Sequence, residues 1–230
     1  MTIWSDIKEL LFPRFCIVCG KRLNKTEPYI CTSCLLTLPR TGHEREEQNR
    51  MMQRFIGCPP VQRCGAWFYY VKKSPYIRLI HAAKYNNRPE VGRFLAACAA
   101  TEWSDTNFFH DIDVIVPLPL SKKKRRKRGY NQCDFIVQGL SDVTHLPIEK
   151  DALIRAVDNS TQTRQNRDER WENVQGIFQV THPEKLAGRH ILLVDDVVTT
   201  GATLLACAET LEKAVPDIRI TLFALAAASE

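Results

Sequence analysis

The chain has 230 residues, room for one large domain or for a small module beside a medium one, and its 44% hydrophobic and 25% charged residues exclude wholesale disorder. Ten Gly and twelve Pro exclude collagen-like and low-complexity classes. The net charge of +6 is local: residues 122–128 read KKKRRKR, and the remainder of the chain is close to neutral. The longest apolar stretches, such as residues 222–228, fall far short of the roughly 20 residues that a membrane-spanning helix needs. Asp6, Lys8 and Glu9 interrupt what would be the apolar region of a secretory leader. The nine cysteines are therefore read in a reducing cytoplasm, where paired thiols point to metal sooner than to disulfides.

Six of those cysteines, at positions 16, 19, 31, 34, 58 and 64, fall in the N-terminal part of the chain, where hydrophobic periodicity is weak. Cys16-x2-Cys19 and Cys31-x2-Cys34 are two C-x-x-C knuckles, and Gly20 suits the tight turn that follows the first. Four thiolates at this spacing satisfy a tetrahedral Zn²⁺ and leave no open position, which predicts a structural site. A redox C-x-x-C would sit at a helix start in a βαβ setting, and no such setting is present here. Cys58 and Cys64 fit no knuckle and read either as remnants of a second site or as buried core. Cys98, Cys133 and Cys207 lie on apolar helical faces and read as core. Residues 43–54 (HEREEQNRMMQR) form a polar, charged bridge.

From residue 65 strand and helix signals alternate. Strands are expected at 65–71, 113–119, 190–196 and 218–226, and helices at 75–86, 90–103, 131–143 and 202–214. Alternation of this kind predicts βαβ units and a mostly parallel sheet covered on both faces. The division expected is a zinc-binding module over 1–60 and an α/β domain over 61–230.

Residues 191–203 read ILLVDDVVTTGAT. A buried strand carries Asp195 and Asp196 at its carboxyl end and passes through a threonine and glycine turn into a helix. Ligands of open α/β sheets bind beyond the carboxyl ends of the strands. Backbone N–H groups and hydroxyls at a helix N-terminus suit a phosphate, and Gly201 lets the backbone approach it. Carboxylates beside a phosphate need another task, which vicinal ribose hydroxyls provide. A phosphoribosyl ligand follows from the combination.

This segment resembles the phosphoribosyl pyrophosphate (PRPP) signature of the type I phosphoribosyltransferases. Residues 117–132 (PLPLSKKKRRKRGYNQ) look like the P-x-P-x…R-G-[FY]-N-Q stretch of the ComF/GntX branch. Thr161-Gln162, Arg170, Asn173 and Phe178 fit that branch too, as do Leu11-Phe12-Pro13, Leu79-Ile80-His81 and Lys84-Tyr85. The resemblance implies a type I phosphoribosyltransferase-like α/β fold, a mostly parallel sheet flanked by helices, with a small N-terminal zinc module. It implies PRPP contacts from Asp195, Asp196, Val197, Val198, Thr199, Thr200, Gly201, Ala202 and Thr203. Pyrophosphate contacts would come from Lys84, Arg128, Gly129 and Arg170, with Mg²⁺ accompanying PRPP. Relatives often carry a further C-x-x-C pair, which Cys58 and Cys64 replace here.

Within the resemblance, residues 122–128 form a pyrophosphate-binding loop, but one pyrophosphate cannot use seven cations. A run of this kind also reads as a nucleic-acid patch. The stretch 161–174 reads as a plain exposed helix, or by resemblance as a mobile loop closing over PRPP. The expected function is transfer of a 5-phosphoribosyl group to an unidentified acceptor with release of pyrophosphate, in nucleotide metabolism. The competing reading is a non-catalytic, competence-associated protein that binds single-stranded DNA through residues 122–128. Self-association stays open, and no membrane partner is expected.

Overall fold

The computed structural model describes residues 12–85, 87–156 and 176–228. In chain order its elements are α1 (Thr32–Leu36), β1 (Val61–Tyr70), α2 (Ile77–Tyr85), α3 (Glu90–Glu102), β2 (Val114–Pro117), α4 (Lys122–Arg128), α5 (Gln132–Thr144), β3 (Leu153–Arg155), β4 (Phe178–Val180), β5 (His190–Val198), α6 (Ala202–Ala214) and β6 (Arg219–Ala228). The main sheet runs β1-β6-β5-β2, with every pair parallel. Residues 147–149 extend it beyond β2 through a parallel bridge, Ile115 to Ile148. Residues 39–41 cap its other edge antiparallel to β1, where the Tyr69 N–H donates to the Pro39 carbonyl at 2.8 Å. β3 and β4 form a separate antiparallel pair.

Helices cover both faces of the sheet, which is why β5 and β6 read as continuous apolar runs rather than alternating ones. Side chains of α2, α3 and α5 pack with Leu192, Val194 and the cysteine module in one core; Cys207 and Leu211 of α6 pack with Ile191, Leu193 and the β3–β4 pair in the other. β1 begins at Val61, earlier than expected, because Val61 and Cys64 bury their side chains in that second core. Asn131 caps α5, its side chain accepting from the Cys133 N–H at 3.3 Å. Cys58 and Cys64 are buried core, and the Cys64 thiol lies 3.2 Å from the Met52 sulfur.

The crossing of α3 and α5 depends on one glycine. A Cβ at Gly139 would stand 2.0 Å from the Arg93 carbonyl oxygen. Gly139→Ala is therefore expected to push the helices apart and to cost about 3 kcal/mol, the upper range for overpacking a tight interior. A urea unfolding midpoint matching the parent's would overturn this. Among the described residues no helix is long and apolar enough to cross a membrane.

Candidate functional site

The four knuckle cysteines converge. Their sulfurs all lie within 4.8 Å of one another, and Cys19 and Cys31 are 3.8 Å apart. Metal–sulfur bonds of about 2.3 Å give a tetrahedron with edges of about 3.8 Å, so the donor set fits zinc. Gly20, at φ +73°, donates its N–H to the Cys16 carbonyl at 2.9 Å and closes the first knuckle. The second knuckle opens α1, with Cys31 at its N-cap. Burial opposes ionisation of Cys16, yet N–H groups of Cys19, Cys31 and Val18 directed at the sulfur hold it down to about 7. Burial and then the neighbouring thiols push Cys34 far up. Thiolates crowded in this way need a cation to ionise together. The module is tied to α2: Arg78 donates to the Val18 carbonyl at 2.9 Å, and the Tyr76 hydroxyl donates to the Cys34 carbonyl at 3.1 Å.

The other end of α2 reaches the carboxylate pair. Lys84 Nζ lies 2.8 Å from Asp196 Oδ1, both largely buried. Burial alone would lower the ammonium pKa, but Asp196, with Asp195 behind it, raises it. Asp196 Oδ2 is buried without a hydrogen-bond partner. Strand alternation sends Asp195 the other way, toward the Cys133 thiol at 3.8 Å and into a small cup formed with Val197, Val198, Thr199, Thr200, Gly201, Ala202 and Thr203. Gly201, at φ +83°, starts α6, and its first N–H groups have no carbonyl partner within the helix. Thr200 Oγ1 accepts from the Ala202 N–H at 3.4 Å.

Burial first, and the Asp196 charge second, push the Asp195 carboxyl up to about 7, although the Asp196 N–H, Lys84 and Cys133 favour its ionised form. Between the ordinary value of 3.8 and about 7 the folded chain keeps a proton that the unfolded chain has released. The stability that Asp195 contributes is thus complete below 3.8 and lost as pH rises to about 7. Asp195→Asn should flatten that slope, read as the change in urea stability of the zinc-loaded protein between mildly acidic and neutral pH. A slope equal to the parent's would count against it.

Two sequence expectations change here. Residues 122–128 are not a loop: they form α4, capped by Ser121, whose hydroxyl accepts from the Lys124 N–H at 3.4 Å, and ended by Gly129 at φ +83°. Lys and Arg are good helix formers, and the cations of its last turn face the negative end of the helix. Residues 43–54 are not a bridge: with Phe55 they form a strap folded onto the sheet. Its buried Asn49 donates to the Glu46 and Cys64 carbonyls, both at 2.8 Å, while Met51 and Phe55 enter the second core. Arg54 of this strap donates to the Thr199 carbonyl. Cys133 is buried in the second core as expected, and it also borders Asp195. Neither Arg54 nor Cys133 was marked as a site residue, and no local motif around either carries a signal.

The structure brings Lys84 and Arg128 together. Arg128 lies over the Tyr85 ring, 4.9 Å from its centroid, and donates to Gln132 Oε1 at 2.5 Å. Gly129 adjoins them, whereas Arg170 and the stretch 161–174 lie outside the described residues, as does Leu11.

Residues 142–230 match the phosphoribosyl transferase domain family. The DNA utilization protein YhgH of Escherichia coli (strain K12) is 32% identical over 199 residues, covering 85% of this chain and 83% of its own. Competence protein ComFC of Bacillus subtilis is 35% identical over 196 residues, 79% of this chain and 77% of its own. The chain belongs to the ComF-type branch of the phosphoribosyltransferase-domain proteins. Competence protein F of Haemophilus influenzae is a further relative, 28% identical over 89% of this ComF-type chain and 94% of its own. Among solved structures, the allosteric regulatory enzyme of purine biosynthesis aligns at a TM-score of 0.40 and 18% identity, over 62% of this chain and 30% of its own. The parallel sheet, its flanking helices and the N-terminal four-cysteine cluster are those that the ComF resemblance implied.

Proposed function

We propose that this ComF-type chain binds PRPP at the β5–α6 turn and transfers its 5-phosphoribosyl group to an acceptor, releasing pyrophosphate. The observation that carries this reading is that Asp195 and the turn 199–203 line one cup at the carboxyl edge of a parallel sheet. The N–H groups and hydroxyls of Thr199, Thr200, Gly201, Ala202 and Thr203 would hold the 5′-phosphate, and Val197 and Val198 would set the floor. Asp195 would accept from the ribose hydroxyls and favour the positive charge that develops at the anomeric carbon, with Asp196 held beside it by Lys84. Lys84, Arg128 and Gly129 would contact the departing pyrophosphate, and Arg170 is assigned to the same group by resemblance. Mg²⁺ suits these carboxylate and phosphate oxygens, Asp195 being the residue to hold it, and when bound it would neutralise charge on the leaving group. The zinc cluster has no open position and is assigned a structural role. Its thiolates suit a reducing cytoplasm.

Incubation with PRPP, Mg²⁺ and a panel of nucleobases, following pyrophosphate release, tests this reading. Release with one acceptor names the substrate, and Asp195→Asn should lose PRPP binding. Failure of the parent to bind PRPP would refute it.

A second reading rests on α4, where residues 122–127 are all exposed, six consecutive cations on the surface. Together with the DNA-utilization and competence names of its relatives, this supports a single-stranded DNA contact. Such binding should weaken steeply with salt and disappear when the run is neutralised. Salt-independent binding would argue against it.

A further inference from the structure

The turn that enters α6 is held from behind by the strap. Met51 and Phe55, each 1% exposed, root the strap in the second core, and Asn49 fastens it to the Cys64 carbonyl at 2.8 Å. Between those roots Arg54 sits in one tight helical turn (Met52–Phe55), where its backbone N–H donates to the Met51 carbonyl at 3.2 Å. Its half-buried side chain crosses to the turn between β5 and α6, and Nη1 donates to the Thr199 carbonyl. A Cβ at Gly201 would lie 3.3 Å from the Phe55 ring and 3.6 Å from Arg54 Cβ, so the strap also packs directly against the turn.

A phosphate at this turn needs N–H groups around it, and a carbonyl oxygen in their place would repel it. Which of the two the Thr199–Thr200 peptide offers depends on the orientation of its plane. The unit is planar and trans, so its C=O and N–H point in opposite directions. Thr199 and Thr200 are exposed, and packing of their own side chains does little to fix that plane. Arg54 supplies what packing does not, a hydrogen bond from a charged donor to the carbonyl. Thr199 and Thr200 line the cup, and Arg54 does not. The carbonyl is therefore drawn toward a group that stands outside the cup.

We propose that Arg54 is a positioning residue for the 5′-phosphate: by holding the Thr199 carbonyl outside the cup, it keeps the Thr200 N–H directed into it. The proposal rests on the PRPP reading above and names the residue that prepares the turn for an anion. Without Arg54 the peptide plane is free to rotate, and binding must first select the orientation that presents the N–H. Apparent affinity then falls by the fraction of chains already in that orientation. The strap thereby has a task beyond covering the edge of β1. Its buried roots hold the arginine stem in place, and the arginine head holds the turn.

The test is calorimetric titration of the zinc-loaded full chain with ribose 5-phosphate, PRPP and magnesium pyrophosphate, in the parent, Arg54→Met and Arg54→Lys. Methionine keeps the packing of the stem and removes the donor, and lysine restores a charged donor. Arg54→Met should bind ribose 5-phosphate about tenfold or more weakly, and Arg54→Lys should recover most of that loss. Magnesium pyrophosphate, whose contacts are assigned to Lys84 and Arg128, should bind Arg54→Met within about twofold of the parent. In amide NMR spectra the Thr200 proton should move downfield when ribose 5-phosphate is added to the parent and stay in place in Arg54→Met. A strap that merely propped up the fold would not produce that difference. Equal ribose 5-phosphate affinity in the parent and Arg54→Met, an equal loss for pyrophosphate, or no recovery in Arg54→Lys would overturn the proposal. A parent that binds neither ribose 5-phosphate nor PRPP refutes the PRPP reading and this proposal with it. A parent that binds both, with Arg54→Met binding them as tightly, removes the positioning role alone.

Discussion

Cys31→Ser, or exhaustive chelation, is expected to remove about one zinc per chain and to unfold the N-terminal module. Structural zinc sites supply on the order of 10–16 kcal/mol of binding free energy, which such a module spends on folding. The apolar side chains of residues 12–38, Val18, Leu23, Ile30 and Leu38, are buried with the knuckles in the core that the module shares with α2, α3 and α5. The damage should spread to α2, because the Val18 and Cys34 carbonyls that anchor Arg78 and Tyr76 belong to the two knuckles. Zinc content by atomic absorption, combined with hydrogen exchange across α2, reads both effects. Retained zinc, or unchanged protection in the module, would contradict the assignment.

Lys84→Met should destabilise the domain by about 3–5 kcal/mol, because it leaves Asp196 buried and unpaired. Both side chains of the pair are largely shielded, at 18% and 7% exposure, so solvent screening does little to soften the loss. Adding Asp196→Asn should recover most of the loss, since removing both charges costs far less than removing one. Urea unfolding of the parent, the single variant and the double variant decides the point: a double variant no more stable than Lys84→Met would exclude a buried-charge penalty.

The two knuckles were legible because four ligands at fixed spacing carry their chemistry in local sequence. The β5–α6 turn was legible for a related reason: an apolar strand, two acids and a threonine–glycine turn are contiguous, and their positions follow once the strand is buried. Helix and strand limits came close for α3, α5, α6 and β5, where burial period and capping residues agree. Residues 122–128 were read as a loop from the resemblance, because the Ser121 cap and the left-handed Gly129 that bound a helix are weak signals on their own.

The amino-acid sequence thus determined the four-cysteine cluster, the alternation of strands and helices, and the threonine–glycine turn after β5, each a matter of short-range spacing and solvent exclusion. Tertiary structure alone decided which acid faces the cup and which faces Lys84, that Cys133 borders Asp195, and that a polar strap delivers Arg54 to the Thr199 carbonyl. The reason is physical: these pairings join residues from 62 to 145 positions apart. Their partners are selected by the packing of a shared core, which no local pattern records.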